Sequence, residues 1–415
     1  MPRVHAQTRA KAHQEAMRKA AGTAVPDACD VCVVGGGAAG IVAAIASAEA
    51  GATTVVLEAA PEAGRTILAT GNGRCNFCNA DLDPARYNDP AFVGAVMGAD
   101  PLHDVLGLFA DSGLIWTVED GRYYPRSLCA TSVRDVLLAR AEAAGVVMAC
   151  ARPVGRVSHD AGGMCVGYEG SFSPGTSHVL HAATVIVATG GTSVPQGLEG
   201  SVVPRSPVLC SLSCTTPMVD LARLDGRRVR GEARLLRAGT PIYHESGEVL
   251  LRTYGISGIV TFDLSRRASA GDVIELDLVP ELDDTSLAAH VRAHGSLDGA
   301  LDPMVASELA RHTHDPAELA HAAKHLTLLV DGPADAEHAQ VTRGGLATRC
   351  FSASTLASHE EPTLFACGEA LDVDADCGGF NLAWAWTSGM VAGRSAAATA
   401  LSPSHTPAPT EGPSL

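Results

Sequence analysis

Apolar and polar positions along this chain fall into blocks rather than one period. DACDVCVV, residues 27–34, is a β-branched run of strand length, and a run without alternation predicts a strand covered on both faces, as in a parallel sheet. It passes directly into GGGAAG and then IVAAIASAEAGA, a small-residue helical stretch expected to close at Gly51. TTVVLE follows as a second buried strand ending on Glu58. TVIVATGG (184–191) and TLFACGE (363–369) are further runs of this kind. The latter leads into LDVDADCGGFNLAWAWTSGMVAGRSAAATA, whose second half predicts an Ala-rich helix entered through Gly378 and Gly379.

Between about 192 and 344 the texture changes. RVRGEARLLRAGTPIYHESGEVLL, from Arg228, predicts antiparallel strands with turns at Ala238–Gly239 and Ser246–Gly247, DVIELDLVP adds an alternating strand, and residues 284–326 predict short helices. The expected class is α/β, with a Rossmann-type domain formed by residues 27–191 and 345–401 and interrupted by a β-rich substrate domain at 192–344. Residues 1–26, basic and Ala-rich, are expected to be a flexible tail, and 402–415 a disordered one by composition.

Strand, glycine turn, helix, strand and acid in that order make one βαβ unit for a dinucleotide. Gly35 permits the tight turn, Gly37 lets the backbone approach a pyrophosphate, and Gly40 lets helix pack on strand. The helix N-terminus then offers unpaired N–H groups to phosphate charge. Glu58 stands about 20 residues further on, where a carboxylate accepts from an adenosine ribose and disfavours a 2′-phosphate. FAD and NAD both suit this half-site. The late helix behind Gly378 and Gly379 favours FAD, because its amides can face the electron-rich N1 and O2 edge of a flavin.

Composition narrows the partner to a small molecule. The net charge of −16 over 415 residues argues against nucleic acid, no apolar stretch reaches membrane-spanning length, and no export signal is evident, so a cytoplasmic setting is expected. The twelve cysteines have no framework spacing and are expected to be reduced thiols. Lysine occurs only at Lys11, Lys19 and Lys324, which weighs against pyridoxal-phosphate chemistry. The sixteen histidines show no metal-ligand spacing, and no metal is expected.

GGGAAG, GRTILATGNGRCN, ATGGTSVP, LRTYGISGIVTFDLSR, VTRGGLATRCFSASTL and LFACGEALDVDADCGGFNLAWAWTSGMVAG occur in that order. In this the chain resembles the BaiN-like (aminoacetone oxidase-like) FAD-dependent oxidoreductases over roughly residues 28–400. The resemblance implies a Rossmann-type FAD domain, an inserted β-barrel-like domain and a small helical part. It also implies reduction of unsaturated steroid-type substrates such as dehydro-bile acids, or amine oxidation.

By the same resemblance, Gly35, Gly37 and Gly40 form the pyrophosphate loop, Glu58 is the ribose ligand, and Arg65, Asn72, Gly73, Arg74 and Cys75 belong to a loop running along FAD. Thr189 and Gly190 end a second cofactor-contacting strand, while Gly368, Glu369, Asp372, Gly379, Phe380 and Asn381 close on the flavin. Ala38, Ala39, Gly64, Thr66, Asn76, Val154, Gly378 and Leu382 complete the expected cofactor set. The family usually carries Lys at the position of Thr66, Thr at that of Cys78, and a different stretch where this chain reads GLEGSVVPRS.

The pair Cys75 and Cys78 in GNGRCNFCN admits three uses. A zinc site with Cys29 and Cys32 is disfavoured by the long gap between the pairs. A redox dithiol assisted by Arg74 is possible chemistry, yet the family loop ordinarily carries only the first cysteine. The favoured use is a glycine and amide loop lying along the cofactor, with Arg74 near negative charge.

Hydride chemistry at flavin N5 is therefore expected. No second dinucleotide turn is present, so NAD(P)H is expected only as a transient electron donor. The alternatives are an amine oxidase using oxygen and a non-catalytic flavin-binding assembly protein. No residue is assigned as catalytic: Tyr123, Tyr124, Tyr254 and Trp384 are candidate substrate contacts, with Tyr254 a possible proton donor. Oligomeric state is left open.

Overall fold

The computed structural model describes residues 14–160, 163–170, 177–191 and 193–402. The chain divides into two compact units, one of residues up to Arg205 and from Arg343 onward, the other Ser206–Thr342. The break falls between Arg205 and Ser206, at the end of the GLEGSVVPRS stretch.

In the first unit the apolar blocks form β1 (Ala28–Val34), β2 (Thr54–Leu57), β3 (Val147–Ala149), β4 (Val154–Asp160), β5 (Gly163–Glu169) and β6 (Ser177–Val187). They make a seven-stranded sheet in the order β3-β2-β1-β6-β5-β4, with Leu364–Ala366 also paired to β6. β3, β2, β1 and β6 run parallel, and β6–β5–β4 form an antiparallel flap. Val31, Cys32 and Val33 are fully buried, which is why the run lacks alternation. Helix α1 (Ala38–Glu49) covers one face of the sheet.

The late Ala-rich segment forms a 21-residue helix, here α4 (Phe380–Ala400), which lies against α1. Their contact is made at backbone distance: a Cβ on Gly389 would lie 2.6 Å from Ala39 O, and one on Gly393 would lie 2.3 Å from Ala43 O.

The expected tail is not wholly free. Residues 14–20 are helical, and the Arg152 guanidinium donates to Ala21 O at 2.7 Å, pinning the approach to β1. Residues 1–13 and 403–415 lie outside those described. Among the described residues no single helix is long and apolar enough to cross a membrane. The bent pair Pro90–Met97 and Pro101–Asp111 buries Val93, Met97, Val105 and Phe109 in the core of this unit.

The second unit is a closed antiparallel barrel of β7 (Leu212–Thr215), β8 (Arg228–Arg237), β9 (Thr240–Arg252), β10 (Gly255–Ser257), β11 (Val273–Asp277) and β12 (Leu326–Pro333). The strand order is β7-β10-β9-β8-β11-β12. Its core of Leu235, Leu251, Ile274, Leu276 and Leu328 is separate from that of the sheet. Helices α2 (Asp284–His294), Pro303–Leu309 and α3 (Pro316–Lys324) close it, within the span expected to be helical.

One expected turn is absent. Ala238–Gly239 does reverse the chain, with φ of 49° and 78°. Ser246 and Gly247 instead sit inside β9, paired to Glu232 and Gly231. Gly247 is needed there for room, since a Cβ would come within 2.9 Å of the Val260 side chain.

Candidate cofactor site

The glycine turn after β1 is shaped by contacts only glycine allows. Gly35 has φ 107° and its missing Cβ would lie 2.4 Å from Ala188 O, while a Cβ on Gly40 would lie 1.9 Å from Gly35 O. This tucks the first turn of α1 onto the strand end. Gly37 caps α1 without a side-chain hydrogen bond and no acid sits in the first turn, so the amides of Ala38, Ala39 and Gly40 head an uncapped N-terminus suited to phosphate. Thr189, two residues past the end of β6, adjoins Gly35, and Gly190 follows it with φ 64°.

Glu58 is tied to this turn. Its carboxylate accepts from Gly36 N–H and Ala60 N–H, both at 2.6 Å. A carboxylate has about four acceptor positions, so two remain for ribose hydroxyls. Glu58 O also accepts from Arg152 N at 2.8 Å, and Val154, two residues further on, is half-buried. Gly64, left-handed at φ 71°, donates to Gly36 O at 2.7 Å and starts the short helix Arg65–Ala69, whose Arg65 and Thr66 are exposed. Thr66 Oγ1 is the atom nearest to where a Gly37 side chain would begin.

The GNGRCNFCN loop carries backbone strain. Gly71 and Asn72 have φ of 54°, Gly73 83° and Cys75 56°, and non-glycine residues in this region cluster at functional sites. The loop is docked onto the start of α4: Asn79 Nδ2 donates to Gly378 O at 2.8 Å, and the Trp386 indole N–H donates to Phe77 O at 2.9 Å. A Cβ on Gly379 would lie 2.7 Å from Cys78 O and 2.9 Å from Asn76 Oδ1. Phe380, Asn381 and Leu382 therefore open α4 directly beside the loop, again with no side-chain cap and no acid in the first turn.

The two uncapped N-termini belong together. Gly389 of α4 touches Ala39 at the head of α1, as Gly368 does, and nine residues of helix separate Gly389 from Phe380, roughly 13 Å. That spacing suits an extended dinucleotide with its diphosphate at α1 and its ring at α4. Two buried polar atoms of the GNGRCN loop have no hydrogen-bond partner, Arg74 Nε and Asn76 Oδ1, and orphans of this kind call for a bound group. FAD fits this donor and acceptor set.

Several expected roles change. The negative charge beside Arg74 is Glu119, at 2.6 Å, and the guanidinium stacks over Tyr124 at 4.4 Å. Its Nε is buried without a partner in the protein. Asp372 is a joint rather than a free carboxylate, accepting from Gly344 N at 2.9 Å. Glu369 is half-buried next to it. Trp384 is 1% exposed and donates to Gly368 O at 3.0 Å, so it is packed rather than available to substrate. Burial pushes the Cys75 thiol up to about 11 and that of Cys78 up to about 12, which removes the low-pKa thiolate a working dithiol requires.

Sequence reading missed two arginines. Arg343 pairs with fully buried Asp374 through Nε at 2.8 Å and Nη2 at 3.0 Å. Arg205, in the departing GLEGSVVPRS stretch, lies beside Gly344 and leaves Nε and Nη2 buried without partners. Both lie in quoted stretches, VTRGGLATRCFSASTL and GLEGSVVPRS, but only the fold brings residues 205 and 343–344 together.

The sequence profile of the HI0933-like protein Rossmann domain matches residues 29–395. The chain belongs to this family. This HI0933-like protein is 31% identical over 410 residues to the 3-dehydro-bile acid delta(4,6)-reductase of Clostridium scindens, covering 88% of this chain and 98% of that one. It is 24% identical to the ribosomal RNA dihydrouridine synthase of Escherichia coli (86% and 96% covered) and 25% identical to that of Haemophilus influenzae (86% and 95%). The HI0933-like protein is accordingly an FAD-dependent oxidoreductase.

Proposed function

We propose that this chain reduces a carbon–carbon double bond conjugated to a carbonyl in a small apolar molecule of steroid type, with NAD(P)H as electron donor. The substrate class rests on the relative named as a bile-acid reductase, which aligns over nearly its whole length. The site observation behind it is the orphaned Arg74 Nε and Asn76 Oδ1 of the GNGRCN loop, which docks on the uncapped start of α4. When bound, FAD supplies hydride transfer. The chain's own residues that would hold it are the turn Gly35–Gly40 for the diphosphate, Glu58 for the ribose, and the amides of Gly379 and Phe380 for the ring edge. The orphaned Arg205 donors are suited to a carbonyl or carboxylate oxygen of the substrate.

A second reading has support from two relatives named as ribosomal RNA dihydrouridine synthases. Dihydrouridine is uridine with its carbonyl-conjugated C5–C6 bond saturated, so the bond chemistry is shared and only the carrier differs. The charge of −16 favours the small molecule. The oxygen-dependent amine oxidase is the third reading.

Anaerobic titration of the yellow protein with NADH and NADPH, followed by a 4-ene-3-keto bile acid, tests the proposal. Bleaching by a nicotinamide and recovery of colour with the steroid is expected. Recovery with a uridine-containing ribosomal RNA fragment alone supports the second reading, and bleaching by an amine alone supports the oxidase. A colourless protein without extractable flavin overturns all three.

A further inference from the structure

Three elements of the barrel unit converge on one surface point that the flavin chemistry leaves unused. The last turn of α3 presents His321, the residue after its end is His325, and the first turn of α2 presents Asp284. Asp284 Oδ1 is 3.5 Å from His321 Nδ1 and 3.6 Å from His325 Nε2. All three ligand atoms lie within 4.8 Å of one another. A zinc ion with bonds of about 2.0–2.1 Å holds tetrahedral ligands about 3.4 Å apart, close to the observed edges. The histidines are one helical turn apart, a spacing that puts both rings on one face.

The support behind His325 is a second observation. Its Nδ1 lies 3.2 Å from Glu275 Oε2 on β11, and Arg234 approaches the other Glu275 oxygen at 3.5 Å. A carboxylate behind a ligating imidazole fixes its tautomer and orientation. With Nδ1 directed at Glu275, Nε2 faces Asp284 Oδ1 and is the nitrogen placed to ligate. The neighbouring Lys324 ammonium is committed to Asp277 Oδ2 at 2.8 Å and Val279 O at 2.9 Å.

We propose that Asp284, His321 and His325 bind one zinc ion, with Glu275 orienting His325 and solvent completing the coordination. The bound ion ties α2, β11 and α3 together. His321 and Asp284 side chains are 68% and 52% exposed, so the site exchanges metal with solvent and does not hold it as a buried structural zinc would.

The test uses the full-length flavin-loaded protein, stripped with chelator and titrated with zinc chloride by calorimetry, with zinc content read after gel filtration. One zinc per chain is expected, and zinc should raise the thermal midpoint of the wild type by mass action. His321→Ala and Asp284→Asn each weaken binding at least roughly tenfold and abolish the zinc-induced shift, while Glu275→Gln weakens it about 10-fold or more. His321 is exposed, so its variant keeps the flavin spectrum and serves as the folding-neutral control. No uptake by the wild type overturns the proposal. So does equal uptake by the wild type, His321→Ala and Asp284→Asn proteins, which assigns the metal to thiols.

Discussion

In the cofactor unit α4 meets α1 at backbone distance, with Gly389 and Gly393 facing Ala39 O and Ala43 O. In the barrel unit α3 is joined to β11 by a buried charge pair, Lys324 Nζ to Asp277 Oδ2 at 2.8 Å. The first contact depends on the absence of an atom, and the second on the presence of a partner. Missing side chains leave a mark at one position of a sequence, whereas a charge pair is divided between positions far apart in it. The two contacts should also fail differently.

The largest effect is expected at the glycines. In Gly393→Val the new side chain meets Ala43 O and the Ala46 side chain, forcing α4 off α1 at a cost of about 4 kcal/mol or more. Flavin content on purification, read as the ratio of visible to ultraviolet absorbance, should collapse. A variant retaining full flavin and an unchanged thermal midpoint would show that this contact tolerates bulk.

Next is Lys324→Met, which strands the Asp277 carboxylate in a buried site. The expected loss is about 3–5 kcal/mol in a urea melt. The double variant Lys324→Met with Asp277→Leu should recover much of it, because removing both charges leaves no unpaired ion. Failure to recover would mean that packing of the lysine stem, not charge pairing, joins α3 to the barrel.

Asn76→Ala should separate cofactor binding from stability. Its Oδ1 has no partner within the protein, so the unliganded fold should lose little. FAD affinity, measured by fluorescence quenching, should fall roughly tenfold if a bound group donates a hydrogen bond to that oxygen. An unchanged affinity would detach the GNGRCN loop from the cofactor.

A smaller effect concerns acid. The hydrogen bond from Arg237, opposed by burial and aided by Ser269 N–H, holds the Asp272 carboxyl below the usual aspartate range. A carboxyl lowered on folding stabilises fully above its unfolded value of about 3.9, and that contribution is lost as pH falls through the folded value. Asp272→Asn should therefore lower stability at neutral pH and flatten its decline below about pH 4. A variant with the wild-type acid limb would exclude this pair.

Much of the cofactor unit was legible without coordinates. Continuous apolar runs predicted buried strands, and Gly35, Gly40 and Gly379 marked places where backbone approaches backbone. The Ser246–Gly247 turn was misread because a glycine inside a strand and a glycine in a turn look alike until the register to Gly231 is known. The ion pair of Arg74 was not foreseen because its partner Glu119 is 45 residues away.

The sequence alone determined where side chains had to be absent and which segments had to be buried, since both follow from local composition and steric exclusion. Only the tertiary structure decided which charges meet, which polar atoms remain orphaned, and that Asp284, His321 and His325 share one point. Those outcomes depend on distances between segments, which a linear order of residues does not contain.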